Sequence, residues 1–199
     1  MNILIATTNN GKLNEFKRIF NFNESIKLLS LSDLYIDIDV EETGKTFEEN
    51  ASIKADFYHN ISGIPTISED SGLEIFILNG DPGIYSARYG GKELNDSQRT
   101  DLVLEKMKNF KNPNRIAQFT SVICGVGFKN EKIFSKGILE GYISHKKQGI
   151  NGFGYDPIFC LNNEKISLAC KSIDDKNKIS HRRKSIDKFL KILIKDRIV

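Results

Sequence analysis

The sequence predicts an α/β fold, and three observations carry that prediction. The chain opens as strand, turn and helix. A long apolar alternation in its middle reads as an extended strand with a partner, and its end is amphipathic with helical spacing. In the opening, NILIA is a short isoleucine-rich run, TTNNGK is a polar turn, and Leu13, Phe16, Ile19 and Phe20 then recur at helical intervals. Ser25 to Leu31 predicts a second short strand. After an acidic loop, DIDVEETG, the pattern Thr46-Phe-Glu-Glu49 is a capping box that starts a helix with Phe47, Ala51, Ala55 and Tyr58 on one face.

PTIS and LEIFIL predict strand segments on either side of a polar EDSG, and the turn-rich GDPGIYSARYGG follows. Asn95 to Met107 reads as a helix through Leu102, Val103 and Met107. Ile116 to Phe128 alternates through Phe119, Val122, Cys124 and Val126, and Lys129-Asn130-Glu131 turns it into a partner strand from Lys132 to Ile143. The last helix is expected to begin near Ser180, with Ile186, Phe189, Leu190, Leu193 and Ile194 as its buried stripe. No repeat, linker or composition break divides the chain, so residues 1–199 are expected to form one two-lobed domain.

Composition narrows the function classes. Hydrophobic residues at 39% and charged residues at 28% are those of an ordinary globular protein, and a net charge of +3 argues against a dedicated nucleic-acid coat. Cys124, Cys160 and Cys170 lack metal or disulfide spacing, which fits a reducing cytoplasm. No basic leader or bilayer-length apolar run occurs, so neither export nor membrane insertion is expected.

Several stretches have residue types suited to phosphate and metal chemistry. ATTNNGKLNE places backbone N–H groups and the Lys12 ammonium at a helix N-terminus, where an anion is favoured, although it lacks the Walker A spacing. Glu41 and Glu42 precede the helix that carries Lys54, and Glu69 and Asp70 lie in SEDSG. Paired hard carboxylates of this kind suit Mg2+, and solvated acidic loops are the competing reading. Tyr85, Arg88 and Tyr89 in GDPGIYSARYGG suit architecture or a subunit contact. Asn151-to-Phe159, NGFGYDPIF, is either a tight corner or a grip on something flat. DDKNKISHRRK offers Lys176, Ser180, His181 and Arg182, with two donors able to read the acceptor edge of a base or to form a basic patch.

Taken together, ATTNNGKLNE, EETGKTFEENASIKA, SEDSGLEI, GDPGIYSARYGG, NGFGYDPIF and KNKISHRRK, in that order, resemble the inosine triphosphate pyrophosphatase or non-standard purine nucleoside triphosphatase family (Ham1 type). The resemblance implies an Mg2+-dependent hydrolase that cuts ITP, dITP or XTP between the α- and β-phosphates. It also implies a homodimer with a long mixed sheet flanked by helices and an active site in the cleft between two lobes. By position, Thr7, Thr8, Asn9, Asn10, Gly11 and Lys12 would cradle the triphosphate, Lys54 and Lys176 would neutralise it, and Ser71 would line the same site. Glu42 and Asp70 would hold the metal, with Asp70 or Glu69 as general base. Phe153 would stack on the purine, Gly152 and Gly154 would let backbone approach, Tyr155 would pack the wall, and Asp156 would fix the pocket. His181 and Arg182 would pair with purine O6 and disfavour the adenine amino group. Glu69 stands where many members carry aspartate, and SLACKSIDD is unusual. The rival readings are a pyrimidine nucleotide pyrophosphatase, for which the SHR block is unexpected, and a nucleotide- or RNA-binding module without hydrolysis.

Overall fold

Strand β1 (Asn2–Ala6) is the isoleucine-rich run, and every residue after Asn2 is buried. The computed structural model describes residues 1–20 and 26–198. Helix α1 (Asn10–Phe20) starts where the side chain of Asn9 accepts the Lys12 N–H at 3.0 Å, a polar cap that closes one orphan donor of the first turn. Its buried face is Phe16, Ile19 and Phe20, and also Glu15. Strand β2 (Lys27–Ser30) occupies the middle of the predicted run, of which Ser25 lies outside the described residues.

Thr46 caps helix α2 (Phe47–Ser62) by accepting the Glu49 N–H at 3.1 Å. The other half of the predicted capping box is not made: the Glu49 carboxylate takes the Lys45 N–H at 2.6 Å instead. Phe47, Ala51, Ala55 and Tyr58 are buried as expected, and Asn50 is buried with them. Gly63, at φ +66°, ends the helix in the left-handed conformation that glycine adopts without cost.

The largest departure from expectation is at EDSG. PTIS and LEIFIL are not separate segments around a turn: a single strand β3 (Thr66–Ile75) runs through Glu69, Asp70, Ser71 and Gly72, and only Phe76–Leu78 leaves it as a 3-10 turn. Two consecutive carboxylates can lie inside a strand because each finds cations and donors in the folded protein, a compensation that no local pattern reveals.

Helix α3 (Asp96–Met107) begins at Asn95 with a complete capping box shared with Gln98. Strands β4 (Ile116–Val126) and β5 (Ile133–Ile143) are the expected long pair, and a short β6 (Phe159–Leu161) follows NGFGYD. The sheet order is β2-β1-β3-β4-β5-β6. It is mixed, because β1 is parallel to both neighbours while β6 runs antiparallel to β5. Near the end the chain forms two helices, α4 (Ile173–Ile179) and α5 (His181–Lys195), so Lys176 lies within a helix of its own. Ile186, Phe189, Leu190 and Leu193 are buried on α5, whereas Ile194 is exposed and falls off the predicted stripe.

Two compact units result, the first from residues 1–70, 121–137 and 182–199, the second from 71–120 and 138–181. Unit 1 has a core of Ile3, Ile5, Phe16, Ile67, Ile123, Ile186 and Phe189. Unit 2 has its own, built on Leu73, Val103, Met107, Phe119, Ile143, Ile158 and Phe159. Among the described residues no helix is long and apolar enough to cross a membrane.

Candidate active site

In unit 1 the polar turn after β1 and the first turn of α1 form an anion-favouring end. Thr7 Oγ1 accepts the Asn9 N–H at 3.2 Å, and Asn9 is itself used as the cap, so the Thr7-to-Lys12 turn is set by its own hydrogen bonds. No acidic residue stands in the first turn of α1, and Lys12 adds its charge to the positive end of the helix. The Lys12 ammonium lies 3.4 Å from Glu69 Oε2. Burial pulls Lys12 below the usual lysine range, with Glu69 opposing the shift.

Glu69 is one of the most heavily tied groups of the molecule. Its Oε1 accepts Ser121 Oγ at 2.6 Å and Arg182 Nε at 2.9 Å, and Arg182 Nη1 reaches across to Glu15 on α1. Arg182 is 1% exposed. Burial disfavours its charge, but the two carboxylates outweigh that effect and hold it above its ordinary value. Of the predicted pair His181 and Arg182, Arg182 lies in this buried ionic chain of unit 1.

The two predicted metal carboxylates converge on one cation. Lys54 Nζ is 2.5 Å from Glu42 Oε1 and 3.8 Å from Asp70 Oδ1. Asp70 Oδ2 accepts Asn50 Nδ2 at 3.1 Å, and Asn50 Oδ1 accepts the Gly44 N–H at 2.8 Å, so one buried amide fixes both Asp70 and the acidic loop. Burial raises Asp70 above the usual carboxylate range, with Lys54 and Lys12 pulling the other way. Two carboxylates already gathered round a positive charge are a donor set that fits Mg2+, whose remaining positions are ordinarily filled by water and substrate phosphate. Among the described residues no larger cluster of metal-ligating side chains exists.

Unit 2 holds the loop NGFGYD. Phe153 sits between Gly152 at φ +80° and Gly154 at φ +61°. Asp156 Oδ2 accepts the Phe153 N–H at 2.9 Å and Lys176 Nζ at 2.6 Å, and that ammonium lies 4.6 Å from the Phe153 ring centroid. Lys176, predicted to meet the triphosphate, is thus packed with the aromatic loop. Gly154 donates its N–H to Asp96 Oδ2 at 2.8 Å. Tyr155 packs in the unit 2 core and donates to the Ser86 carbonyl at 2.9 Å, and its burial pushes the phenol up. His181 is stacked on Phe119 with centroids 4.8 Å apart. Ser71, the first residue of unit 2 in β3, is half-buried.

Sequence reasoning missed Glu15, Asn50, Ser121, Asp96 and Asn177. Glu15 and Asn50 could have been found as polar residues on otherwise apolar helix faces, since both fall at positions with helical spacing to core residues. Ser121 and Asp96 carry no local signal. Asn177, on α4 beside Lys176, is buried with both amide atoms lacking a hydrogen-bond partner, an arrangement that normally requires water or a ligand.

Comparison with known proteins agrees across nearly the whole chain. A dITP/XTP pyrophosphatase of Staphylococcus aureus is 44% identical over 185 residues, covering 93% of this chain and 92% of that protein. One from Clostridium perfringens is 44% identical over 193 residues, 94% of each. Among solved structures, the Staphylococcus aureus Ham1 protein superposes with a TM-score of 0.87 at 42% identity, over 98% of this chain and 100% of that one. A HAM1 protein from Coxiella burnetii gives 0.88 at 36%, over 98% and 99%. With the Ham1 family pattern matching residues 3–192, a shared fold and relatives well above a third identical, this chain belongs to the Ham1 family.

Proposed function

We propose that the protein hydrolyses non-standard purine nucleoside triphosphates, ITP, dITP and XTP, to the nucleoside monophosphate and pyrophosphate. The observation that carries this reading is the convergence of Glu42 and Asp70 on Lys54, in a chain matched to the Ham1 family over residues 3–192. That match also supports reading both units as one functional domain. The close relatives named dITP/XTP pyrophosphatase support the choice of substrate.

In this reading the groups around Lys12 and Lys54 meet the triphosphate. The Thr7-to-Lys12 turn, with Thr8, Asn10 and Gly11, offers backbone N–H groups at the α1 terminus, and Lys12 and Lys54 neutralise the phosphoryl oxygens as charge develops. Glu42 and Asp70 would hold Mg2+. When bound, the ion supplies charge that draws electron density from the phosphoryl oxygens. Asp70 takes the proton of the attacking water as its oxygen bonds to the α-phosphorus and the bridge to the β-phosphate breaks. Glu69 is engaged by Arg182, Ser121 and Lys12, which leaves Asp70 as the base of this reading. Glu69 therefore positions Lys12, and Arg182 positions Glu69.

The NGFGYD loop meets the base. Phe153 offers its face to the purine, Asp156 and Lys176 hold that ring's loop, Tyr155 forms the wall, and Ser71 lines the site. His181 carries the O6 reading: a donor there pairs with hypoxanthine and xanthine and opposes the adenine amino group. We also propose that the protein is a cytoplasmic homodimer without nucleic-acid or membrane partners. Its free cysteines fit a reducing compartment.

The test is an assay of ITP, XTP, ATP and GTP, with and without Mg2+, that resolves monophosphate plus pyrophosphate from diphosphate plus phosphate. Metal-dependent IMP and pyrophosphate with little AMP is expected. Diphosphate products, or binding without turnover, would overturn the reading.

A further inference from the structure

We infer that Asp96 is a positioning residue for the purine, acting through the NGFGYD loop. The inference rests on the proposed stacking of the base on Phe153. Glycines at φ +80° and +61° on either side of Phe153 leave that segment little conformational preference of its own, so its direction is set by whatever holds its amides. Two carboxylates hold them in succession. Asp156 takes the Phe153 N–H at 2.9 Å, and Asp96 takes the Gly154 N–H at 2.8 Å.

These two ties differ in kind. Asp156 stands at the loop's own end, three residues on, and is paired with Lys176 of α4 at 2.6 Å. Asp96 lies 58 residues away in sequence, on a helix whose Val103 and Met107 are fully buried in the unit 2 core. The second tie refers the aromatic ring to α3, as the Asp156–Lys176 pair refers it to α4. The start of α3 carries one pair within the helix and one contact from the chain before the loop. Arg99 Nη1 lies 3.4 Å from Asp96 Oδ1, and Lys147 Nζ, upstream of the loop, reaches Ser97 Oγ and Asp101 Oδ1 at 2.8 Å each. The α3 start does not depend on Asp96, because the Asn95 and Gln98 capping box closes it. Removal of the Asp96 carboxylate should therefore loosen the loop and leave the helix in place.

The experiment compares Asp96→Ala and Asp96→Asn with the unaltered full-length protein. It uses calorimetric binding of IMP without metal, binding of pyrophosphate with Mg2+, steady-state ITP hydrolysis and thermal melting. Asp96→Ala is expected to weaken IMP binding about tenfold and raise KM for ITP in parallel, as loss of a charge-assisted hydrogen bond would. Its kcat should stay within roughly twofold, the pattern of a lost binding contribution. Pyrophosphate affinity should not move. Asp96→Asn, which keeps one acceptor for Gly154, should recover most of the IMP affinity. Unchanged IMP binding in Asp96→Ala, a parallel loss of pyrophosphate binding, or no recovery in Asp96→Asn would overturn the inference alone. An unaltered protein that neither binds IMP nor hydrolyses ITP would overturn the proposed function and the inference with it.

Discussion

Asp70, the base of the proposed mechanism, is also a group whose burial bears on stability. Burial holds it above the ordinary carboxylate value, so between the two values the folded protein binds a proton more readily than the unfolded chain. The sign follows: Asp70 favours the fold at low pH, and that contribution is lost as pH rises through the window, because ionising it in the buried site is costly. Asp70→Asn is accordingly expected to abolish turnover, to leave nucleotide binding largely intact, and to melt at a higher temperature than the parent in metal-free buffer at pH 7. That advantage should shrink as the pH is lowered towards 4, and retained hydrolysis would remove Asp70 from the mechanism. The ring of Phe153 makes a separate prediction. If it stacks on the base, Phe153→Ala weakens ITP binding by about 1–3 kcal/mol, and an unchanged dissociation constant would remove it from the base site.

At the scale of elements, unit 1 is held by an ionic chain as well as by its core. Glu15 on α1, Arg182 at the start of α5 and Glu69 in β3 form one buried sequence of alternating charge, continued to Lys12. Breaking a buried pair leaves an uncompensated charge, which costs far more than a surface pair is worth. Glu15→Gln leaves Arg182 with Glu69 alone, and the expected loss is about 3 kcal/mol, at the lower end for buried pairs. Urea unfolding would show it as a lowered midpoint at constant slope, and an unmoved midpoint would show the chain to be energetically slack. The same ionic chain explains why the sequence pattern interrupts β3 at EDSG while the structure does not. EDSG has the composition of a turn, and it becomes strand only because partners from α1, α2 and α5 satisfy its carboxylates. The helix of Phe47 to Ser62 was legible because its cap and apolar face are both local.

For the whole molecule, the proposed dimer is argued from one exposed apolar surface. Phe76, Ile77 and Tyr85 are about half exposed in the turn-rich stretch after β3, with Arg88 lying over the Tyr85 ring at 5.1 Å. An exposed aromatic and arginine group of this kind is the composition of an interface core. Sedimentation should give twice the 22.6 kDa of one chain, and Phe76→Asp should return it to a monomer without unfolding it. A monomeric parent protein would end the dimer proposal. The sequence by itself determined the α/β class, the order of most elements and six ordered motifs that point to the Ham1 family, because strand alternation, helix spacing and caps act over short stretches. Only the tertiary structure decided that EDSG lies within a strand, that Arg182 is clamped between Glu15 and Glu69, that Lys176 packs on Phe153, and that Asp96 holds the Gly154 amide. Those outcomes depend on which distant charges and donors reach a buried group, and the cost of leaving such a group unpaired selects the arrangement.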